Sequence, residues 1–297
     1  MASDPYLVVG GDSGIGAALV KALRADKVSV SATSRRSDRV DGFIELDLAQ
    51  PHESWRWPDE TRAAVICAAM TSIDACEKSP VDSDVVNVGA PTALVERLAN
   101  KGVRCIILST SMVFDGSQIR PTAEHPVSPL TIYGRQKAAL EKNVLALGGD
   151  HAVLRLTKVL TPDNPLLCGW ANELRAGRPV NAFEDMYFAP VTLEDAVTVI
   201  LGVTESGQAG VFQYSANQDI SYHAAASRLA HRLGVAADLV QRTSWRDVGL
   251  DAARAPANTA FDCASIVAIG GPQAPHSIDV LDQVIDQIVE PVEGVQQ

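Results

Sequence analysis

The sequence is poor in the features that would anchor it in a membrane, staple it with disulfides or lay it on nucleic acid. Its longest uninterrupted apolar run, Ala63 to Met70, falls far short of the roughly 20 residues that span a bilayer. No basic stretch followed by an apolar one opens the chain, so neither membrane insertion nor export is expected. The five cysteines, Cys67, Cys76, Cys105, Cys168 and Cys263, are odd in number and form no CxxC pair. Reduced thiols in the reducing, cytoplasmic compartment fit that usage. Basic residues are few: 25 Lys and Arg against 36 Asp and Glu leave a net charge of −11. A nucleic-acid partner requires clustered Lys and Arg to neutralise phosphates, so none is expected. The six histidines lack metal-ligand spacing, and no metal site is expected either.

What is present is the patterning of a globular enzyme. With 297 residues and 46% hydrophobic content, the chain can bury one large core or two unequal ones. Short apolar, β-branched runs at Tyr6–Val9, Val28–Ser34, Phe43–Leu46, Ala63–Ala68, Arg104–Ser109 and Ala152–Leu156 read as strands. Helical spacing separates them at Gly14–Arg24, Ala90–Lys101 and Tyr133–Leu147. Strands apolar on both faces with helices between them imply an α/β fold with a doubly wound parallel sheet, of the Rossmann type. After about residue 160 the pattern becomes Pro- and Gly-punctuated, with helices expected at Leu166–Ala176, Leu193–Val203, His223–Leu233 and Ile278–Ile288. The expected organisation is a nucleotide-binding domain over residues 1–160, also taking in about 189–216, interleaved with a smaller C-terminal α/β substrate lobe over 161–297. The acidic stretch from Asp279 to Glu293 reads as a solvated helix face.

The first strand runs directly into Gly10-Gly11-Asp12-Ser13-Gly14-Ile15-Gly16, after which helical spacing begins. Glycines let backbone approach a pyrophosphate, whose charge is met by the N–H groups and positive end of the helix. A tight strand–helix turn without ligand is the bland alternative. The second strand ends in Ser34-Arg35-Arg36, with no acid before Asp38 to accept from a ribose 2′-hydroxyl. A hydroxyl and two guanidiniums suit a 2′-phosphate, so NADP(H) is the expected cofactor and NAD(H) the alternative. Asp47 and Leu48, after the third strand, are placed to edge the adenine, and Ala68, Ala69 and Met70 to line the riboses.

Tyr133 and Lys137 stand four apart at the start of a helical segment, hence on one face. The strand before them ends in Ser109-Thr110-Ser111, at the sheet edge where ligands of doubly wound folds bind. A neighbouring ammonium favours a phenolate, so Lys137 is expected to lower the pKa of Tyr133 and to hold the cofactor. Thr110 would then hold a substrate oxygen while Tyr133 exchanges a proton with it, beside a nicotinamide that exchanges hydride. Singly, each residue also reads as a packed helix start, a solvated charge or a strand-end cap. Ser111 and Met112 are candidates for substrate contact.

At these residues the chain resembles the extended short-chain dehydrogenase/reductase superfamily, and within it the dTDP-4-dehydrorhamnose reductase and sugar-nucleotide epimerase groups. Ser109-Thr110-Ser111-Met112-Val113-Phe114-Asp115-Gly116 is similar to the reductases' Ser-Thr-Asp-Tyr-Val-Phe-Asp-Gly, and Ala68 through Glu77 to their Ala-Ala-Tyr-Thr-x-Val-Asp-x-Ala-Glu, with Asn87 placed like their helix asparagine. The resemblance implies the Thr-Tyr-Lys roles and a C-terminal lobe covering a nucleotide-linked substrate. There are departures. The Gly10, Gly14, Gly16 spacing looks more like the single-domain branch, and Ser111-Met112 stands for Asp-Tyr. Ala255 through Asp262 loses the arginine of the reductases' Arg-Pro-x-Asn-Ser-x-Leu-Asp, for which Arg155, Arg175, Arg178 or Arg254 could substitute. The expected function is NADP(H)-dependent reduction of a keto group on a nucleotide-linked sugar or related small metabolite. A sugar-nucleotide epimerase and a catalytically silent cofactor-binding subunit are the rivals, and a homodimer is left open.

Overall fold

The alternation of residues along β1 (Tyr6–Val9) shows why the sheet is covered on both sides. Tyr6 and Val8 enter one apolar cluster with Leu19, Val20 and Leu23 of α1 (Gly14–Ala25), while Leu7 and Val9 enter a second one on the opposite face. This computed structural model describes residues 5–36 and 42–289. Asp38 and the end of the acidic tail, Glu290 to Glu293, lie outside the described residues.

The remaining principal elements follow in order: β2 (Val30–Ser34), β3 (Ile44–Glu45), β4 (Ala63–Ile66), α2 (Ala90–Ala99), β5 (Arg104–Thr110), α3 (Ile132–Ala146), β6 (Ala152–Leu156), α4 (Pro165–Arg175), α5 (Leu193–Glu205), β7 (Gly210–Tyr214), α6 (Tyr222–Leu233) and α7 (Ser277–Val289). Seven strands form one sheet in the order β7-β6-β5-β4-β1-β2-β3, every pair parallel. This is the doubly wound Rossmann-like fold expected from the strand and helix periodicities. The order reverses between β1 and β4, which opens a crevice at their C-terminal ends. The helices α1 and α5 cover one face, and α2 and α3 the other.

A third apolar cluster joins Trp170 and Leu174 of α4, Leu229 of α6, and Leu281 and Ile285 of α7. It is roofed by a parallel pair of short strands, Val180–Phe183 with Val240–Thr243. Two more short pairs tie this region to the sheet's C-terminal edge: Lys158–Leu160 with Pro190–Thr192, parallel, and Tyr187–Phe188 with Ile220–Ser221, antiparallel.

The sequence reading assigned no element between β4 and α2, yet Ile73–Lys78 and Pro80–Asp84 are helical there. The second of these continues through a π-helical turn, Val85–Gly89, into α2. Pro91 explains the widened turn, since it has no N–H to donate to the Asn87 carbonyl four residues earlier. Among the described residues no helix is long and apolar enough to cross a membrane, no group of side chains is arranged to hold a metal ion, and all five cysteines are free.

Candidate active site

The turn after β1 is built for close approach. Gly10 has φ of +79°, and a Cβ there would lie 2.8 Å from Ala68 Cβ; at Gly16 it would come within 2.2 Å of the Gly10 carbonyl oxygen. Ser13 fixes the turn, its hydroxyl donating to Gly10 O at 2.7 Å and accepting from Gly16 N–H at 3.1 Å. Nothing lies within 4 Å of the space a Gly14 side chain would take. The amino end of α1 is thus open to a pyrophosphate, and Ile15 borders the large cleft described below. A dinucleotide fits this cradle.

At the end of β2, Ser34 is buried and its hydroxyl accepts from Arg36 N–H at 2.9 Å. Arg35 is exposed. Arg36 is not a freely solvated arginine: it donates to Asp12 Oδ2 from Nη2 at 2.8 Å and from Nε at 3.3 Å. Burial alone would raise the Asp12 pKa, but hydrogen bonds from Arg36 and Ser34 outweigh it and hold the carboxyl below its ordinary value. Asp12 therefore fixes one guanidinium beside the glycine turn. Replacing Arg35 and Arg36 together by Ala is expected to weaken NADPH binding at least about tenfold, because one hydrogen bond to a charged group is worth ~1.5–3 kcal/mol, and to leave NADH binding nearly unchanged. Fluorescence titration of both cofactors checks this, and equal losses would contradict it.

The other cofactor candidates are distributed unevenly. Leu48 is buried in the core beside Leu46 and Trp55, so its side chain is not offered to an adenine. Asp47 is spent locally, its carboxylate accepting from Ala49 N–H and its carbonyl from the Trp55 indole. Ala68 packs against Gly10, and Ala69 lines the cleft. Met70 is pinned from the π-helical turn: Asn87 accepts from Met70 N–H at 2.8 Å and donates to Met70 O at 2.9 Å.

Thr110, Ser111, Met112, Tyr133 and Lys137 converge on one cleft of about 620 Å³ at the C-terminal edge of the sheet. Thr110 ends β5 and caps the following turn, its hydroxyl accepting from Met112 N–H at 3.2 Å. Thr131 caps α3 by accepting from Gly134 N–H at 3.0 Å. Gly134 lets the two turns touch, since a Cβ there would lie 2.1 Å from the Met112 carbonyl oxygen. That contact brings Tyr133 against Thr110, and the four-residue spacing carries Lys137 and Glu141 down the same buried face of α3.

One expectation is overturned. Tyr133 is not held below the ordinary tyrosine value; burial pushes its phenol up to about 12, against a smaller opposing hydrogen bond with Thr110. Burial dominates Lys137 as well, pushing it down to about 8 although Glu141 pulls it up. At these buried positions the cost of burying a charge outweighs the pairing that spacing alone suggests.

Among the arginines proposed as phosphate ligands, Arg155 is excluded: it forms a buried ion pair with Glu141, Nη2 to Oε2 at 2.7 Å, to which Ser109 also donates. Arg178 pairs with Glu173 and Arg175 donates to the Ile288 carbonyl. Arg254 does line the cleft, paired at 2.6 Å with Asp74 across it. Trp55 is core, and Trp57 stacks under Arg97 and Lys101. The sequence reading passed over Thr157 and Lys158, which also line the cleft; their place just beyond the end of β6 was the available signal.

Comparison with known proteins shows the family and the fold. Among curated proteins, the chain is 28% identical over 238 residues to a dTDP-4-keto-6-deoxy-D-glucose reductase of Streptomyces niveus, covering 78% of this chain and 79% of that one. It is 26% identical over 239 residues to methionine adenosyltransferase 2 subunit beta of Rattus norvegicus, covering 74% and 69%. In fold it is similar to the Bacillus anthracis dTDP-4-dehydrorhamnose reductase solved in complex with NADP, with a TM-score of 0.82, 17% identity, and 95% and 98% of the two chains covered. The family model described as the RmlD substrate binding domain matches residues 5–290, from the first sheet strand through α7, and on that span the chain belongs to this family.

Proposed function

We propose that the protein is an NADP(H)-dependent reductase of a keto group on a nucleotide-linked sugar, with Tyr133 as proton donor. The observation that carries this reading is the convergence of the Thr110 hydroxyl, the Tyr133 phenol and the Lys137 ammonium on one cleft bordered by the glycine turn. The names of relatives in the family supply the sugar class.

The residues divide the work. Gly10 through Gly16 receive the pyrophosphate, Ser34, Arg35 and Arg36 the adenosine end, and Ala68 to Met70 flank the riboses. Thr110 orients the substrate carbonyl by donating to its oxygen, and Ser111 and Met112 form the adjoining wall. A nicotinamide held in this cleft would supply hydride to the carbonyl carbon. Tyr133 donates its proton to the oxygen on which charge develops; a phenol pushed up to about 12 stays protonated throughout the neutral range, as a donor in the reducing direction must. Lys137 keeps positive charge on the same helix face and would hold the cofactor ribose.

Lys137 gives the reaction a pH limb. It is charged below about 8, so kcat/KM for NADPH, which reports groups in the free enzyme, is expected to fall as pH rises through about 8. A profile flat to about 10, the ordinary lysine range, would contradict the role given to Lys137. The substrate reading is tested by following NADPH oxidation with dTDP-, UDP- and GDP-linked 4-keto sugars beside simple ketones. Turnover only with nucleotide-linked ketones is the expected result.

The likeness to a methionine adenosyltransferase subunit favours one rival, a cofactor-binding regulatory subunit. Retention of all three of Thr110, Tyr133 and Lys137 speaks for the enzyme, and absence of turnover across the whole panel would favour the subunit.

A further inference from the structure

Among the described residues, the cleft contains an exposed lysine, Lys158, without a carboxylate and, next to it in sequence, a buried hydroxyl without a partner. Lys158 Nζ donates to the Tyr222 hydroxyl at 3.0 Å and lies 5.2 Å and 5.8 Å from the ring centroids of Tyr222 and Phe188. Those rings, themselves 4.7 Å apart, hold the ammonium by its attraction to their faces. An ammonium has three protons to donate, and no carboxylate among the described residues pairs with this one. Of the other cleft cations, Lys137 stands beside Tyr133 and Arg254 is already matched with Asp74. The neighbouring Thr157 is only 9% exposed, and its hydroxyl has no hydrogen-bond partner among the described residues. A buried hydroxyl left unpaired is costly unless a ligand completes it. Both residues line the cleft that holds Thr110, Tyr133 and Lys137.

We propose that Thr157 and Lys158 form a subsite for an oxyanion of the substrate. Resting on the reading of this cleft as the substrate site, the inference adds that the substrate carries a phosphate or carboxylate group on the side of the ketone facing Tyr222. On a chain of net charge −11 a local unmatched cation supplies the attraction such a group needs. Two sources share this chemistry, the diphosphate linker of a sugar nucleotide and a carboxylate on its sugar ring.

The test is calorimetric binding of dTDP, UDP-glucose and UDP-glucuronate to the full chain loaded with NADP⁺, for the native protein and for Lys158→Met, Lys158→Arg and Thr157→Val. Lys158→Met is expected to lose at least about tenfold in affinity, the worth of one hydrogen bond to a charged group, while Lys158→Arg retains most of it. Thr157→Val is expected to lose a smaller factor, and NADP⁺ affinity is expected to stay the same in all three variants, which also reports that they are folded. Loss for all three probes assigns the diphosphate; loss confined to UDP-glucuronate assigns the carboxylate. Unchanged affinity in Lys158→Met, or no binding of any probe to the native chain, overturns the proposal. Lys158-dependent binding without reduction of any ketone would sink the reductase reading and leave this subsite standing.

Discussion

Replacing Tyr133 by Phe is expected to lower turnover about 10²–10⁴-fold, the usual worth of general acid catalysis, while changing NADPH affinity little. The ring of Tyr133 is 9% exposed and packed at the start of α3, so Phe keeps the packing and removes only the hydroxyl. The hydroxyl that pairs with Tyr133, on Thr110, is placed to orient a carbonyl but is a far weaker acid than a phenol, and the Tyr222 phenol of the same cleft is engaged by Lys158. Single-turnover measurement with saturating NADPH isolates the chemical step from binding. Near-normal turnover in the variant would reduce Tyr133 to a packing residue and return the role of acid to an unassigned group. The direction of the Tyr133 pKa makes the expectation sharper. A donor pushed up to about 12 is in the acid form throughout the neutral range, so its own titration leaves no mark on the neutral profile. The limb near 8 belongs to Lys137 and should persist in the residual activity of the Phe variant.

The largest expected effect on stability comes from Glu141→Ala. Glu141 and Arg155 are 5% and 4% exposed in their side chains and paired at 2.7 Å. Removing the carboxylate leaves the guanidinium with the Ala123 carbonyl and the Gln213 side chain as its remaining hydrogen-bond acceptors. Breaking a buried pair from one side costs ~3–5 kcal/mol because the surviving charge is uncompensated. That is a large share of a typical total stability of about 5–15 kcal/mol. Urea unfolding measures it, and a loss below about 1 kcal/mol, the range of exposed pairs, would show that the site is wetter than the geometry indicates. The variant has a second consequence. Glu141 lies one turn beyond Lys137 and pulls its pKa up, so without it Lys137 should titrate lower and the alkaline limb should move to lower pH.

The parts of the fold that could be read from the sequence are those set by short-range pattern. The apolar run of β1, the glycine turn and the amphipathic spacing of α1 lie within twenty consecutive residues, and each is written in local composition. The same holds for Thr110, Tyr133 and Lys137, because strand end and helix start are local features and the sheet edge brings them together. What was not readable depends on contacts between distant positions. Arg36 meets Asp12 across 24 residues, which fixes it beside the glycine turn, and Arg155 meets Glu141 from a different element, which removes it from the candidate phosphate ligands. The upward shift of Tyr133 needs the burial of its ring, which spacing cannot convey. Lys158 and Tyr222 come together only because Tyr187–Phe188 pairs with Ile220–Ser221, two-residue strands too short to show a period.

The central claim is that a ketone is reduced in this cleft with hydride drawn from NADPH. Its most direct test is the product formed when the native chain is given NADPH deuterated at its transferable position and a nucleotide-linked 4-keto sugar. The account predicts one deuterium at the new carbinol carbon and one NADP⁺ released for each molecule of product. Unreacted ketone with bound NADPH, or an epimerised sugar bearing no label, would contradict it.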